Sequence, residues 1–376
     1  MKPALLFLEV LPDIKGGQQM LLEIVPALAD YELHAIVPGA GALQDALVGL
    51  GVMCHTVPMH QYTLVRKGPG DIFAFARELG HLSCEVARIS RECSARLIWA
   101  NSTRAFVWGT RGAHLARVPI IWHAQNLLAD RKSLWLSQAC ARSRAVKRIV
   151  GCSTRAAAQY ARPEKAAIVP LAADLARYAP SIETRREMRD LLGIPGDQFV
   201  VIQVGDLIPL KGQSLLMEAA RETPDVMYLI VGDAREDQEE SVAYASELRK
   251  GAGANVRFLG RRTDVPRLLN AADAMAITST REAGPRVLVE GLATGLPVVS
   301  TWVGMAPEVI SPGVNGHLTE PDPHKLAAII RDMARTPEHS RQMSRNARLF
   351  AEQALSIEHY RDQIRSLVQV VLSEST

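Results

Sequence analysis

Short apolar runs alternate with longer amphipathic stretches along almost the whole chain. Ala4 to Leu8 is an unbroken apolar run of strand length, and Met20-Leu21, Ile24-Val25 and Leu28 behind it recur at helical spacing. The same alternation predicts strands over Leu33 to Val37, Val52 to Val57, Leu97 to Asn101, Pro119 to Trp122 and Ile149 to Ser153, with a helix over Ala42 to Leu50. Ile182 to Leu192 reads as a charged helix, and the turn cluster Gly193 to Asp197 opens a second series. Its strands are predicted over Phe199 to Val204, Val226 to Val231, Val256 to Gly260, Ala274 to Thr278 and at Val298-Val299. Its helices are predicted over Glu236 to Lys250, Val265 to Ala271, Leu326 to Ala334 and Ser356 to Leu372. Strands that are apolar throughout are buried on both faces, which is the signature of a parallel sheet covered by helices. Two such series predict an α/β protein of two doubly wound, Rossmann-like parallel sheets. The 376 residues agree, since one core usually stops growing at about 250 to 300.

The richest stretch runs from Ser279 to Thr301. Two glutamates, Glu282 and Glu290, stand eight positions apart, the first in a Gly/Pro turn and the second in an apolar run that reads as a helix. Pro285 suits the first turn of a helix, where its missing N–H costs nothing, so the helix should begin beside Gly284. Glu290 then falls about 7 Å along the axis at 1.5 Å per residue. One carboxylate thus marks each end of an elongated ligand, and between them the helix N-terminus favours a phosphate. Gly295 and Pro297 close the helix before the next strand.

The ordered string Glu282, Gly284-Pro285-Arg286-Val287, Glu290 and Gly295-Leu296-Pro297-Val298-Val299, followed by Gly304, Glu308 and Asn315-Gly316, resembles the retaining glycosyltransferase family 4, the glycosyl transferases of group 1. The resemblance implies a GT-B fold, with the two sheets facing one another across a cleft. It also implies a nucleotide-sugar donor, transfer of a hexose to a hydroxyl acceptor, and retention of configuration. In that family the E-x7-E pair binds the nucleotide-sugar, so Glu290 is expected on ribose hydroxyls and Glu282 on a sugar hydroxyl. The amides of Arg286 and Val287, beside Gly284, are then expected on the diphosphate. Lys211, between Gly205 and Gly212, matches the family's cationic position for the diphosphate, and Arg261 lies in its base-recognition region. In the first half, Gly16-Gly17 matches a glycine loop near the donor phosphates and acceptor. His123, at a predicted strand end where parallel sheets place ligands, matches a His near the donor sugar. Glu282 and His123 are therefore the candidate catalytic residues, and no nucleophile is named, since the departing phosphate is expected to help take the acceptor proton. Two positions depart from the pattern. Asp206 stands where an Arg is usual and would repel phosphate unless paired or turned away, and Met305 replaces a second Gly after Gly304.

The implied domains are an acceptor-side unit over 1–178, a donor-binding unit over 179–355, and a last helix over 356–376 that packs back on the first. Gly39-x-Gly41 is only a turn, because Gln44 occupies the third position of a dinucleotide fingerprint. There is no P-loop, serine elbow, H-E-x-x-H or D-x-D, so neither a cofactor nor a metal is expected, and the leaving group's charge falls to Lys211 and the helix N-terminus.

Composition adds a compartment and a surface. The five cysteines lack C-x-x-C spacing, no run approaches a membrane span and no targeting segment is visible, so a cytoplasmic protein is expected. Residues 1–190 carry 24 Lys+Arg against 16 Asp+Glu, a charge of +8, while the rest carries 19 against 24, or −5. The basic half has two stretches that suit an anionic interface at the inner face of the cell membrane and a lipid-linked acceptor. They are the loop His60 to Asp71, with Tyr62, Leu64, Val65, Arg66 and Lys67, and a basic helical run over Asp130 to Arg148 with Leu134, Trp135 and Leu136. No nucleic-acid motif accompanies the charge, so no nucleic-acid partner is expected. A non-catalytic nucleotide-sugar-binding subunit, suggested by Asp206 and Met305, and an epimerase or hydrolase on the same fold are the competing classes.

Overall fold

The computed structural model describes the backbone of residues 2–60 and 69–375, and the side chains of these apart from 69–76. The chain divides into two compact units, the first Met1–Pro170 with Tyr360–Thr376 and the second Leu171–His359.

The strands of the first unit are β1 (Ala4–Leu8), β2 (Glu32–Val37), β3 (Met53–Thr56), β4 (Ala95–Ala100), β5 (Ile120–Ala124), β6 (Val146–Gly151) and β7 (Ala166–Ile168). Among the described residues they form one parallel sheet in the order β3-β2-β1-β4-β5-β6-β7. The second unit holds β8 (Val200–Val204), β9 (Met227–Val231), β10 (Val256–Gly260), β11 (Ala274–Ile277), β12 (Val298–Thr301) and β13 (Gly316–Thr319). These are also all parallel, in the order β10-β9-β8-β11-β12-β13. Both sheets therefore grow outward in two directions from a central pair, β1/β4 in one unit and β8/β11 in the other. That reversal places the crossovers on opposite faces and opens a crevice beyond the carboxyl ends of the central strands.

The first unit's core is aromatic. Phe106 stacks on Trp122 with ring centroids 4.6 Å apart, Tyr160 meets Trp122 edge-on, and the buried indole N–H of Trp122 donates to Thr110 Oγ1 at 3.0 Å. Two glycines let the helix Thr103–Ala116 lie close to its neighbours. A Cβ at Gly112 would stand 2.6 Å from Val86 Cβ, and one at Gly109 2.6 Å from Leu8 Cδ1. The last helix, Ile357–Ser373, is tied to the first unit where Arg361 Nε donates to Glu23 O at 3.1 Å and Arg365 Nε to Ala27 O at 3.2 Å.

Several expectations are corrected. The basic run Asp130 to Arg148 is not one helix: Asp130 caps Arg131–Ala141 through the amides of Lys132 and Ser133, and Lys147 and Arg148 lie in β6. The β-branched residues Val146, Ile149 and Val150 pair with β5 there, which outweighs the continuation of basic residues. Gly16 and Gly17 open the helix Gly16–Ile24 rather than a turn. The helices Pro69–Glu92, Thr103–Ala116 and Pro337–Ala354 were not anticipated. Gly109, Gly112 and the β-branched and aromatic residues of Thr103–Ala116 weaken its local helix signal, and packing supplies what propensity lacks. Tyr62, Leu64, Val65, Arg66 and Lys67 lie outside the described residues.

Replacing Gly112 by Val should overpack the helix against Val86 and the Ser83 carbonyl, destabilising the protein by about 1–3 kcal/mol in urea unfolding. Unchanged stability would mean that the helix Thr103–Ala116 does not pack this closely.

Candidate functional site

In the second unit the crevice between β8 and β11 collects most of the expected donor residues. β8 is followed at once by Gly205, with φ at 151° and an amide that donates to Val231 O at 2.9 Å. The chain then makes the short turn Pro209–Lys211 and reaches Gly212 at φ 63°, where a Cβ would fall 2.0 Å from the Thr278 carbonyl oxygen. Only glycine fits so close an approach. Lys211 is anchored by its backbone, since its carbonyl accepts from Gln203 Nε2 and Thr278 Oγ1, each at 3.1 Å. Its ammonium meets Glu282 Oε1 at 2.8 Å. Ser279 Oγ donates to the same carboxylate oxygen, and Thr301 Oγ1 ties down the Ser279 carbonyl at 2.6 Å. The structure thus joins residues 71 positions apart into one half-buried ion pair across the reversal of the sheet.

The helix Arg286–Ala293 begins directly after this pair, with Pro285 as its extended N-cap and Arg286 and Val287 in its first turn. Gly284 lies in the preceding loop, held against Gly304, whose missing Cβ would stand 2.6 Å from the Ala283 carbonyl. Glu290 is buried on this helix with Arg286 Nε 3.6 Å away, and it accepts a hydrogen bond from the Tyr178 hydroxyl. Burial first, and then the Glu290 charge, push the Tyr178 phenol well above its ordinary range, so it stays a donor.

Both departures from the expected pattern find a physical accommodation. Asp206 does not present an unpaired charge: Arg235 Nε lies 2.8 Å from one of its oxygens and Arg261 Nη2 3.6 Å from the other. Arg261, expected near a base, thus stands over the end of β8 with its guanidinium largely exposed. Met305 is wholly buried at φ −85°, a conformation that needs no glycine, and it packs as a core side chain.

In the first unit, His123 sits near the end of β5, 2% exposed, with the Trp99 ring edge-on at 5.4 Å. Its Nδ1 lies 2.9 Å from Asn101 Oδ1. Asn101 Nδ2 donates to Glu9 Oε2 at 2.7 Å and to the Gly17 carbonyl at 3.0 Å. Gln125 Nε2 also reaches Asn101 Oδ1, at 2.7 Å, and a Cβ at Gly17 would strike the Gln125 amide. Gly16 has open space at its Cα. Burial holds the His123 imidazole neutral, with its pKa down to about 3. Burial also raises the pKa of Glu9.

Sequence reasoning therefore missed Glu9, Asn101, Gln125, Tyr178, Ser279 and Arg235. Glu9 carried a usable signal, a lone carboxylate directly after an apolar strand, by the same rule that singled out His123. Among the described residues no group of three or more His, Cys, Asp or Glu side chains could hold a metal ion. Nor is any described helix long and apolar enough to cross a membrane.

Residues 184–350 match the family model described as Glycosyl transferases group 1. The chain is 25% identical over 315 residues to an Escherichia coli UDP-Gal:alpha-D-GlcNAc-diphosphoundecaprenol alpha-1,3-galactosyltransferase, a match covering 77% of each chain. It is 35% identical over 164 residues to a D-inositol 3-phosphate glycosyltransferase of Mycobacterium tuberculosis, covering 42% of this chain and 33% of that protein. Among solved structures, Anabaena HepE in complex with UDP superposes with a TM-score of 0.83 at 27% identity, covering 98% of this chain and 100% of HepE. Its complex with UDP-glucose gives 0.78 at 25% identity, covering 98% and 99%.

A pH-dependence follows from His123. In the folded protein the imidazole takes a proton only near pH 3, whereas in the unfolded chain it does so near 6.5. Between these values the unfolded state binds more protons, so this contribution to stability is lost as pH falls from about 6.5 towards 3, at up to about 1.4 kcal/mol per pH unit. Glu9 acts in the opposite sense, because a raised carboxyl pKa is a contribution lost as pH rises. Comparison with His123→Asn isolates the imidazole: in urea unfolding the wild type should lose more stability between pH 7 and pH 4.5 than the variant. Equal losses would show that His123 is not buried in its neutral form.

Proposed function

The chain belongs to the glycosyl transferases of group 1 and has the GT-B architecture of two parallel α/β sheets, and from that premise we propose that it moves a hexose from a UDP-sugar to a hydroxyl of a lipid-linked acceptor, retaining the anomeric configuration. The enzyme is a nucleotide-sugar-dependent glycosyltransferase. The observation that carries the proposal is the Lys211–Glu282 pair across the reversal of the second sheet, followed at once by a helix N-terminus. A cation, a carboxylate and a positive dipole end suit a sugar diphosphate and no simpler ligand so well.

The diphosphate charge is met by Lys211, the first-turn amides of Arg286 and Val287, and the exposed guanidinium of Arg261. Glu282, relieved of Lys211, accepts from a sugar hydroxyl, and Glu290 accepts from the ribose while Tyr178 and Arg286 hold its orientation. The acceptor oxygen forms its bond to the anomeric carbon as the bond to the diphosphate breaks, and the electron pair leaves with the phosphate oxygen. The acceptor proton passes to that oxygen. Pre-placed donors count most where charge develops, so Lys211 and the helix N-terminus carry the largest share.

UDP as the nucleotide is supported by HepE, which was solved with UDP and UDP-glucose, and by the Escherichia coli relative, whose donor is UDP-Gal. That relative's diphosphoundecaprenol acceptor supports a lipid-linked one here. The helix Arg131–Ala141 adds a membrane-facing candidate, with Trp135 70% exposed beside Arg131 and Lys132. A binding-only role loses its two motives, since Asp206 is paired and Met305 is buried.

In a thermal-shift panel of UDP-, GDP-, ADP- and dTDP-sugars, the UDP series should stand out, with about 2.7 kcal/mol of stabilisation at 100 times the dissociation constant. Lys211→Ala and Glu282→Ala should each lower transfer to an undecaprenyl-diphosphate-sugar by about 10²–10³-fold, followed by mass spectrometry of the product. Full activity in both variants would sink the site, and donor conversion without acceptor glycosylation would replace transfer by hydrolysis or epimerisation.

A further inference from the structure

The helix that carries Glu290 is gripped at its far end by an arginine outside the candidate site. Arg348 stands on the helix Pro337–Ala354, and its Nη1 donates to the Ala293 carbonyl at 2.7 Å, where the helix Arg286–Ala293 ends. The last carbonyls of a helix have no partner within it, so a cation there would by itself be a simple cap. The same nitrogen, however, also reaches the carbonyls of Tyr178 at 3.1 Å and Leu175 at 3.2 Å, while Nε is held by Glu352 at 2.6 Å. One guanidinium thus fastens residues 175–178 to the end of the helix, and all of these groups belong to the second unit.

That stretch has little freedom left. The Asp174 carboxylate accepts from the amides of Ala176 and Arg177, each at 3.0 Å, and the Tyr178 amide donates to the Asp174 carbonyl at 2.9 Å. Asn270 holds the next residues, donating to the Ala179 carbonyl at 3.2 Å and accepting from the Ser181 amide at 2.7 Å. A Cβ at Gly295, just past the helix, would touch Arg348 Cβ at 3.7 Å and Pro180 Cβ at 3.9 Å. With its backbone held, Tyr178 buries its ring, with the Arg177 guanidinium 5.7 Å over the centroid, and turns its hydroxyl on Glu290, one turn before Ala293 on the same helix. Phenylalanine would fill this space as well, and burying a hydroxyl costs free energy unless it is bonded. The hydroxyl therefore serves the carboxylate and not the packing.

We propose that Arg348 is a positioning residue which, acting through Tyr178, aims the Glu290 carboxylate at the ribose hydroxyls of the donor and makes the site select a ribonucleotide. The ribose part rests on the reading of the chain as a UDP-sugar enzyme; the hold of Arg348 on Tyr178 does not. An ionised carboxylate offers about four acceptor positions, so the phenol leaves room for ribose hydroxyls beside it. A carboxylate pinned by the phenol cannot turn to follow a nucleotide that lacks those hydroxyls, and its lone pairs are then left unpaired in a buried place. Arg348 acts on the nucleotide only through that phenol.

Two measurements keep the hold and the ribose contact apart. The chain has seven tyrosines, and with their Cζ carbons labelled for NMR the Tyr178 signal is assigned by its loss in Tyr178→Phe. In the full-length protein Arg348→Gln, and Arg348→Lys, which keeps a cation at the helix end, should each move that signal. A signal unmoved in the folded variants would overturn the hold of Arg348 on Tyr178 whatever the ligand. Affinities for UDP and for its dideoxyribose analogue then read the nucleotide. The wild type should prefer UDP by about tenfold or more, the span of hydrogen bonds to a charged group, and Arg348→Gln and Tyr178→Phe should each give up about three- to tenfold of that preference. An equal fall for both nucleotides would mark Arg348 as a brace for the fold alone and overturn the proposal. So would a preference left intact in Tyr178→Phe, which keeps the ring and its packing. A wild type that binds UDP without preference would overturn the ribose contact of Glu290, and one that binds no UDP would count against the donor assignment; either leaves the Tyr178 signal to decide the hold.

Discussion

Each sheet winds outward from a central pair of strands, and the chain places its buried polar groups where those pairs end. Beyond β1 and β4 stand Glu9 and Asn101; beyond β8 and β11 stand Gly205, Lys211, Thr278, Ser279 and Glu282. The parallel ladder forces this. Its strands are covered on both faces by helices, so apolar side chains fill most of them, and buried polar side chains such as Gln203, Ser300 and Thr301 gather towards the carboxyl ends, where crossovers depart to opposite faces. There a polar group finds partners on the neighbouring strand end, as Gln203 Nε2 does on Thr278 Oγ1 at 2.9 Å. Without such a partner each buried group would cost about 1–3 kcal/mol.

The two reversals use that constraint differently. In the second unit it holds charge in paired groups, with Lys211 on Glu282 and two arginines around Asp206. A half-buried ion pair stabilises a fold only modestly, since desolvation offsets most of the attraction. Its interest lies in the proposed donor, because a bound diphosphate would compete for the cation and release the carboxylate. In the first unit the reversal holds a chain of directional hydrogen bonds in which each member fixes the next. Such networks specify orientation more than they add stability.

Much of the fold was legible because its signal is local and repeated. Apolar strands and amphipathic helices announced two doubly wound sheets. The glutamates eight apart, the proline before the helix and the glycines at tight approaches announced two carboxylates set about a helix N-terminus. The failures have local causes as well. The basic run after Asp130 looked continuous because charge is visible in a sequence, whereas the change from helix to strand at Val146 depends on pairing with β5. The helix Thr103–Ala116 was hidden by glycines whose purpose is contact with Val86 and Leu8.

By itself the sequence determined the alternation of strand and helix, the parallel character of both sheets and the kinds of residue gathered at the second unit's strand ends. These follow from side-chain periodicity and from backbone requirements that each residue carries with it. Only the tertiary structure decided which charges meet. Asp206 stood as an obstacle to an anion until Arg235 and Arg261, from the ends of β9 and β10, were seen around it. Lys211 and Glu282, and likewise Glu9, Asn101 and His123, became single units only when the sheets brought distant strand ends together. The physical reason is that a hydrogen bond or ion pair depends on distance and direction in space, and separation along the chain encodes neither.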